Sequence, residues 1–95
     1  GFHVRRLDIA SGASLPLHAR REEEVIYLHR GALSFQWGDE SLLLAEGDVL
    51  TVPPLLMHGY ANRSGDPAVA YVVRGGDAPA AANWAEPVVQ PAAAH

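Results

Sequence analysis

"PLHARREEEVIYLHRG", residues 16–31, places one histidine, a short charged run and a glutamate directly ahead of a stretch with the composition of a buried strand. Within EVIYLH (residues 24–29), Ile26 and Leu28 lie on the side of Glu24, and Val25 and Tyr27 lie on the opposite side. A strand that is apolar on both faces needs cover on both, from its own barrel interior and from a second sheet or subunit. A homodimer is expected on that ground. Glu24 is the sharpest feature, because a carboxylate entering an apolar strand needs a partner. The candidates are a metal ion and Arg20.

Outward from this segment, short apolar and β-branched runs recur with turn residues between them. HVRRLDIA (3–10) is followed by SGAS, EVIYLH by Arg30-Gly31, and ALSFQW (32–37) by Gly38-Asp39. Then come SLLL, the turn AEGD, VLTVPP, MHGYAN, the loop RSGDP and AVAYVVR. Many short strands at regular spacing predict an all-β sandwich or barrel. Gly38-Asp39 between two strand-like runs predicts a tight hairpin. In ALSFQW, Leu33, Phe35 and Trp37 share one face and Ser34 and Gln36 the other, which predicts a half-exposed strand.

The chain has 95 residues, enough for one small domain that buries roughly 60–65% of its unfolded surface. Residues 1–74 are expected to form the β-barrel domain. Residues 75–95 are rich in Gly, Ala and Pro and read as a tail that Trp84 could anchor, and Val88-Val89 could add an edge strand. The absence of cysteine excludes disulfides and thiolate metal sites. No apolar run reaches the ~20 residues of a membrane helix, and no signal-peptide pattern opens the chain, so no membrane association and a cytoplasmic location are expected. Gly1 in place of an initiator methionine suggests a processed or excised chain. The net charge of -4, with seven scattered arginines and no lysine, argues against a nucleic-acid partner.

Spacing carries the more specific signal. Gly12, His18, Arg20, Glu24 and Gly31 resemble the first cupin motif, G-x5-H-x-H-x3-E-x6-G, and Gly47, Pro53, Leu55, His58 and Asn62 resemble the second, G-x5-P-x-G-x2-H-x3-N. The connection over residues 32–46 fits a compact single-domain cupin, and the strand pattern extends the resemblance to about residues 3–74. The resemblance implies a double-stranded β-helix, or jelly-roll, barrel. It also implies that His18, Glu24 and His58 ligate a divalent transition metal such as Fe, Mn, Ni, Zn or Cu. Two imidazoles and a carboxylate make a mixed N/O set suited to those ions.

Two positions depart from the pattern. Arg20 stands where the family has a second histidine, and a guanidinium cannot bind a metal cation. Either His18, Glu24 and His58 hold the metal as a two-histidine, one-carboxylate set, with Arg20 turned aside to orient an anionic substrate group, or Arg20 pairs with Glu24 and the site is metal-free. Both outcomes stay open at this point. Leu55 replaces the motif glycine, so the turn before His58 must be made without a residue that accepts positive φ cheaply. A turn of different shape is expected there, with Leu55, Leu56 and Met57 making an apolar mouth.

The ordinary readings of the remaining candidates are structural. His29 faces away from Glu24 by strand parity, His3 precedes the motifs, and His95 ends the tail. Tyr60 shares the face of His58 and could pack in the barrel or bind substrate. Asn62 is expected to brace a turn. The function expected is a metal-dependent small-molecule enzyme with dioxygenase-type chemistry, in which Arg20 and Tyr60 act on substrate and Leu55 and Met57 line its pocket. The alternative is a metal-free ligand-binding or regulatory domain in which Arg20 binds an anionic ligand. An isomerase or epimerase using His58 as base and Tyr60 as acid is a third option.

Overall fold

The computed structural model describes residues 2–19, 21–75 and 87–91. The strands, in chain order, are β1 (Phe2–Ile9), β2 (Ser14–His18), β3 (Glu24–Arg30), β4 (Leu33–Trp37), β5 (Glu40–Leu44), β6 (Val49–Val52), β7 (His58–Ala61), β8 (Ala68–Gly75) and β9 (Val88–Gln90). They form a five-stranded sheet in the order β1-β8-β3-β6-β9 and a four-stranded sheet in the order β2-β7-β4-β5, with every pairing antiparallel. This is an all-β barrel, as the spacing of short strands predicted, and its two antiparallel sheets form the jelly roll that the motif resemblance implied. No helix among the described residues is long and apolar enough to cross a membrane.

Period-two burial explains how the sheets face each other. On β3, Glu24, Ile26 and Leu28 point inward and are buried, while Tyr27 and His29 are exposed. On β8, Ala68, Ala70 and Val72 point inward, and on β4 Leu33 and Phe35 do so. With Ile9, Leu44, Leu50, Val52 and Tyr60 they form one continuous core between the sheets. The β4–β5 hairpin turns on Gly38-Asp39, with Trp37 opposite Glu40 across a two-residue loop.

One strand was not marked by alternation. SLPLH forms β2, an edge strand, and Pro16 sits where the register with β7 shifts between Leu15 and His18. An edge position and a bulge are the places in a sheet that tolerate proline. In the segment read as a tail, Val88–Gln90 pairs with β6 as the last strand of the larger sheet. Trp84 lies outside the described residues.

Two loop residues hold strand ends together. Gly31 has φ 86°, and a Cβ there would lie 2.8 Å from the Pro67 carbonyl oxygen, so no other residue fits without moving backbone. Asn62 is buried and uses its whole amide: Nδ2 donates to Ile9 O and Asp66 O, and Oδ1 accepts from Ser64 N and Oγ. It thereby ties the end of β7 to the end of β1 and the following loop.

The turn before His58 corrects the expectation of an altered shape. Leu56 N donates to Pro53 O at 3.4 Å, Pro54 occupies the second position, and Leu55 itself takes φ 65° in the third. That is where a turn of this type ordinarily requires glycine. Leucine holds the glycine-like conformation at a cost of about 1–2 kcal/mol. Leu55 is 70% exposed, so little burial is lost on removing its side chain. Leu55→Gly should therefore raise the unfolding free energy by about 0.5–1 kcal/mol after the extra unfolded-state entropy of glycine is counted. Urea unfolding of the two proteins checks this, and an unchanged or lower midpoint would contradict the strain.

Candidate functional site

Three strands bring the motif residues to one end of the barrel. His18 closes β2, Glu24 opens β3 and His58 opens β7, and in the β2–β7 register His18 stands opposite His58. One ligand atom from each of His18, Glu24 and His58 lies within 4.8 Å of the others. The imidazole centroids are 4.5 Å apart. Glu24 and His58 are fully buried, and His18 is half-buried.

The hydrogen bonds define which atoms face the centre. Each imidazole donates from Nδ1 to the carbonyl oxygen two residues earlier: His58 to Leu56 O at 2.7 Å and His18 to Pro16 O at 3.1 Å. A carbonyl oxygen only accepts, so Nδ1 carries the proton in both rings and Nε2 turns inward. His18 Nε2 is buried and has no hydrogen-bond partner. His58 Nε2 lies 2.8 Å from Glu24 Oε2. With Nδ1 already a donor, that contact needs a proton between Nε2 and the carboxylate oxygen, or a cation that both atoms could bind in its place.

Glu24 is the hub. Its Oε2 also accepts from the Tyr60 hydroxyl at 2.7 Å, and its Oε1 accepts from Arg74 Nε at 2.8 Å. Arg74 stands directly opposite Glu24 in the β3–β8 register. Burial alone would raise the Glu24 carboxyl, but the bonds from His58, Tyr60 and Arg74 outweigh it and lower the value from 4.5 to about 2.

A cavity of about 280 Å³ opens over these groups. Its polar wall is Arg5, His18, Glu24, Tyr60 and Arg74, and its apolar wall includes Leu7, Leu15 and Val72. Of the other residues singled out from the sequence, Leu55 and Met57 are 70% and 53% exposed and are not among those lining the cavity. Arg20 and His95 lie outside the described residues. His29 is on the outer face, against Tyr27 and Tyr71. Sequence reasoning passed over Arg5 and Arg74. The signal was parity: Arg74 continues the inward series Ala68, Ala70, Val72, and Arg5 the series Leu7, Ile9.

The family model described as "Cupin domain" matches residues 5–74. This chain is a cupin. Among solved structures, a Cupin 2 conserved barrel domain protein from Salinispora arenicola CNS-205 superposes with a TM-score of 0.74 at 23% identity, covering 79% of this chain and 63% of that one. TT1209 from Thermus thermophilus gives 0.70 at 27% identity, covering 76% and 70%. The DMSP lyase DddQ from Ruegeria pomeroyi DSS-3 gives 0.72 at 23% identity, covering 92% of this chain and 42% of the lyase. The cupin described here thus spans less than two thirds of the Salinispora protein and under half of the lyase. No curated protein shows significant sequence similarity to it.

The Glu24 network fixes an acid-stability prediction. Its folded-state carboxyl lies below the unfolded value, so the stability it contributes is complete above pH 4.5 and is lost as pH falls toward about 2. Glu24→Gln should cost about 3 kcal/mol at neutral pH and flatten the decline across that window. Urea unfolding of both proteins along a pH series checks it. An equally steep acid limb in the variant would place the titrating group elsewhere.

Proposed function

We propose that this cupin is a metal-dependent small-molecule enzyme, with dioxygenase-type chemistry first among the reactions its donor set suits. The observation that carries this reading is the pair of inward Nε2 atoms beside the Glu24 carboxylate, one of them, on His18, buried without a partner. A buried acceptor left unpaired costs about 1–3 kcal/mol, and a bound cation removes that cost. Two nitrogens and one carboxylate form the set used by non-haem Fe(II) oxygenases, and the same donors suit Mn, Ni, Zn or Cu. The Nδ1 bonds to Leu56 and Pro16 keep each Nε2 lone pair aimed at the centre, the usual supporting arrangement for histidine ligands.

When bound, the ion supplies Lewis-acid or oxygen chemistry at its open positions. The chain's own groups do the rest. Arg74 keeps Glu24 ionised as a ligand. The Tyr60 hydroxyl, in the cavity wall, can donate to or accept from a substrate oxygen. Leu7, Leu15 and Val72 hold the apolar part of a substrate and exclude water. Arg20 is assigned to orienting an anionic substrate group.

One observation favours a second reading. Glu24 already has three donors in Arg74, His58 and Tyr60, so the carboxylate is satisfied without a metal. The protein is then a ligand-binding or regulatory cupin whose cavity binds without chemistry. Metal analysis after anaerobic loading separates the two. The enzyme reading expects about one transition-metal ion per chain, at least 100-fold weaker binding in His18→Ala or His58→Ala, and an iron–nitrosyl EPR signal when nitric oxide is added to the Fe(II)-loaded protein. Protein that takes up no metal would leave the binding reading.

We further propose that two copies pair through the outer face of the five-stranded sheet. Val4, Val25, Tyr27, Tyr71 and Val73 lie there in cross-strand register, with Val4 68% and Tyr27 39% exposed. Sedimentation should return twice the chain mass for the wild type and the single-chain mass for Tyr27→Glu. A monomeric wild type would end this proposal.

A further inference from the structure

Arg5 is the least explained polar group in the cavity. It lies on the inward side of β1 opposite Val72, which makes Arg74 its diagonal neighbour on β8. Diagonal residues on adjacent antiparallel strands have Cβ atoms about 7–8 Å apart, within reach of long side chains. Arg74 is engaged through Nε by Glu24, and its terminal nitrogens make no hydrogen bond among the described residues. Arg5 makes no side-chain hydrogen bond or ion pair among them at all. The Arg6–Asp8 pair belongs to the opposite face of β1, so it does not neutralise Arg5. Glu24 is the single carboxylate among the described lining residues.

Two arginines lining a cavity with one carboxylate leave it with an excess positive charge. An anion bound by both would offset their mutual repulsion, and the fork of arginine donors matches a carboxylate. The adjoining wall is apolar. At about 30 Å³ per water, a 280 Å³ cavity has room on the order of nine waters, or one small organic molecule. We infer that the cavity selects a small organic carboxylate, with Arg5 and Arg74 holding its carboxylate group and Leu7, Leu15 and Val72 its apolar body. The inference deepens the reading of this cavity as a small-molecule site, and it names Arg5 and Arg74 as the residues that set the charge of the ligand.

Three probes of one shape and different charge test it: benzoate, benzyl alcohol and benzylamine, titrated into chelator-treated protein and followed by NMR shifts of the protein. Benzoate is expected to bind saturably and at least tenfold tighter than the alcohol, and benzylamine weakest. Arg5→Gln should weaken benzoate about tenfold or more and leave benzyl alcohol unchanged. Arg5 is exposed, so this variant is expected to fold. Arg74→Lys, which keeps the charge and loses the fork, should weaken benzoate while preserving the preference over benzylamine. Equal binding of the three probes, no saturable benzoate binding, or loss of benzoate in Arg20→Gln with none in Arg5→Gln would overturn the inference. The titrations are run without metal, so their failure is distinguishable from a failure of metal uptake.

Discussion

A carboxylate sealed inside a β-barrel is costly unless its charge is met, and the arrangement around Glu24 meets it from both sheets. Arg74 approaches from the neighbouring strand of the same sheet, while His58 and Tyr60 approach from β7 in the opposite sheet. The network ties the layers together where the apolar core ends. His58 and Tyr60 are two residues apart, so they reach Glu24 only if β7 keeps its register. A slip of one residue would turn both outward and leave a buried charge without donors. The site therefore helps specify the pairing of the sheet that carries it.

Both histidines are delivered by irregular backbone. His18 follows the bulge at Pro16 on an edge strand, and His58 follows a tight turn in which leucine occupies a conformation suited to glycine. Each ring is then steadied by the same short bond, from Nδ1 to the carbonyl two residues earlier. The shorter bond belongs to His58, which is packed against Phe35, and the longer to half-buried His18. Strain at the turn and proline in the strand are local costs that aim two nitrogens at one point, a trade commonly found where backbone serves a site.

Much of this was legible in the chain because motif spacing encodes strand parity. The alternation in EVIYLH and ALSFQW placed the inward residues of β3 and β4, and the resemblance of the motif intervals to those of cupins pointed to His18, Glu24 and His58 as one group, which the three strands bring within 4.8 Å. SLPLH was harder to see, since a half-exposed edge strand interrupted by proline lacks alternation. Leu55 misled for a sound reason. Sterics disfavour its φ, but Pro54 sets the preceding residue and the turn tolerates an exposed side chain there. Arg74 and Arg5 were invisible for a different reason. An arginine at a strand end resembles a solvated flank, and Glu24 is fifty residues away from Arg74 in sequence. Only the β3–β8 pairing brings them together.

That pairing also bears on how a metal and an arginine can share one carboxylate. An ionised carboxylate offers about four lone-pair sites, and Arg74 uses Oε1 while His58 and Tyr60 share Oε2. His58, Glu24 and His18 would hold a divalent ion on the proposed reading, and Arg74, which uses the other carboxylate oxygen, would not compete with it. Such an ion would carry one more positive charge than the proton it displaced, and it would give His18 Nε2 the partner it lacks. That charge would be of the sign already carried by Arg5 and Arg74, so a bound cation would strengthen rather than oppose the attraction of an anion proposed for the same cavity.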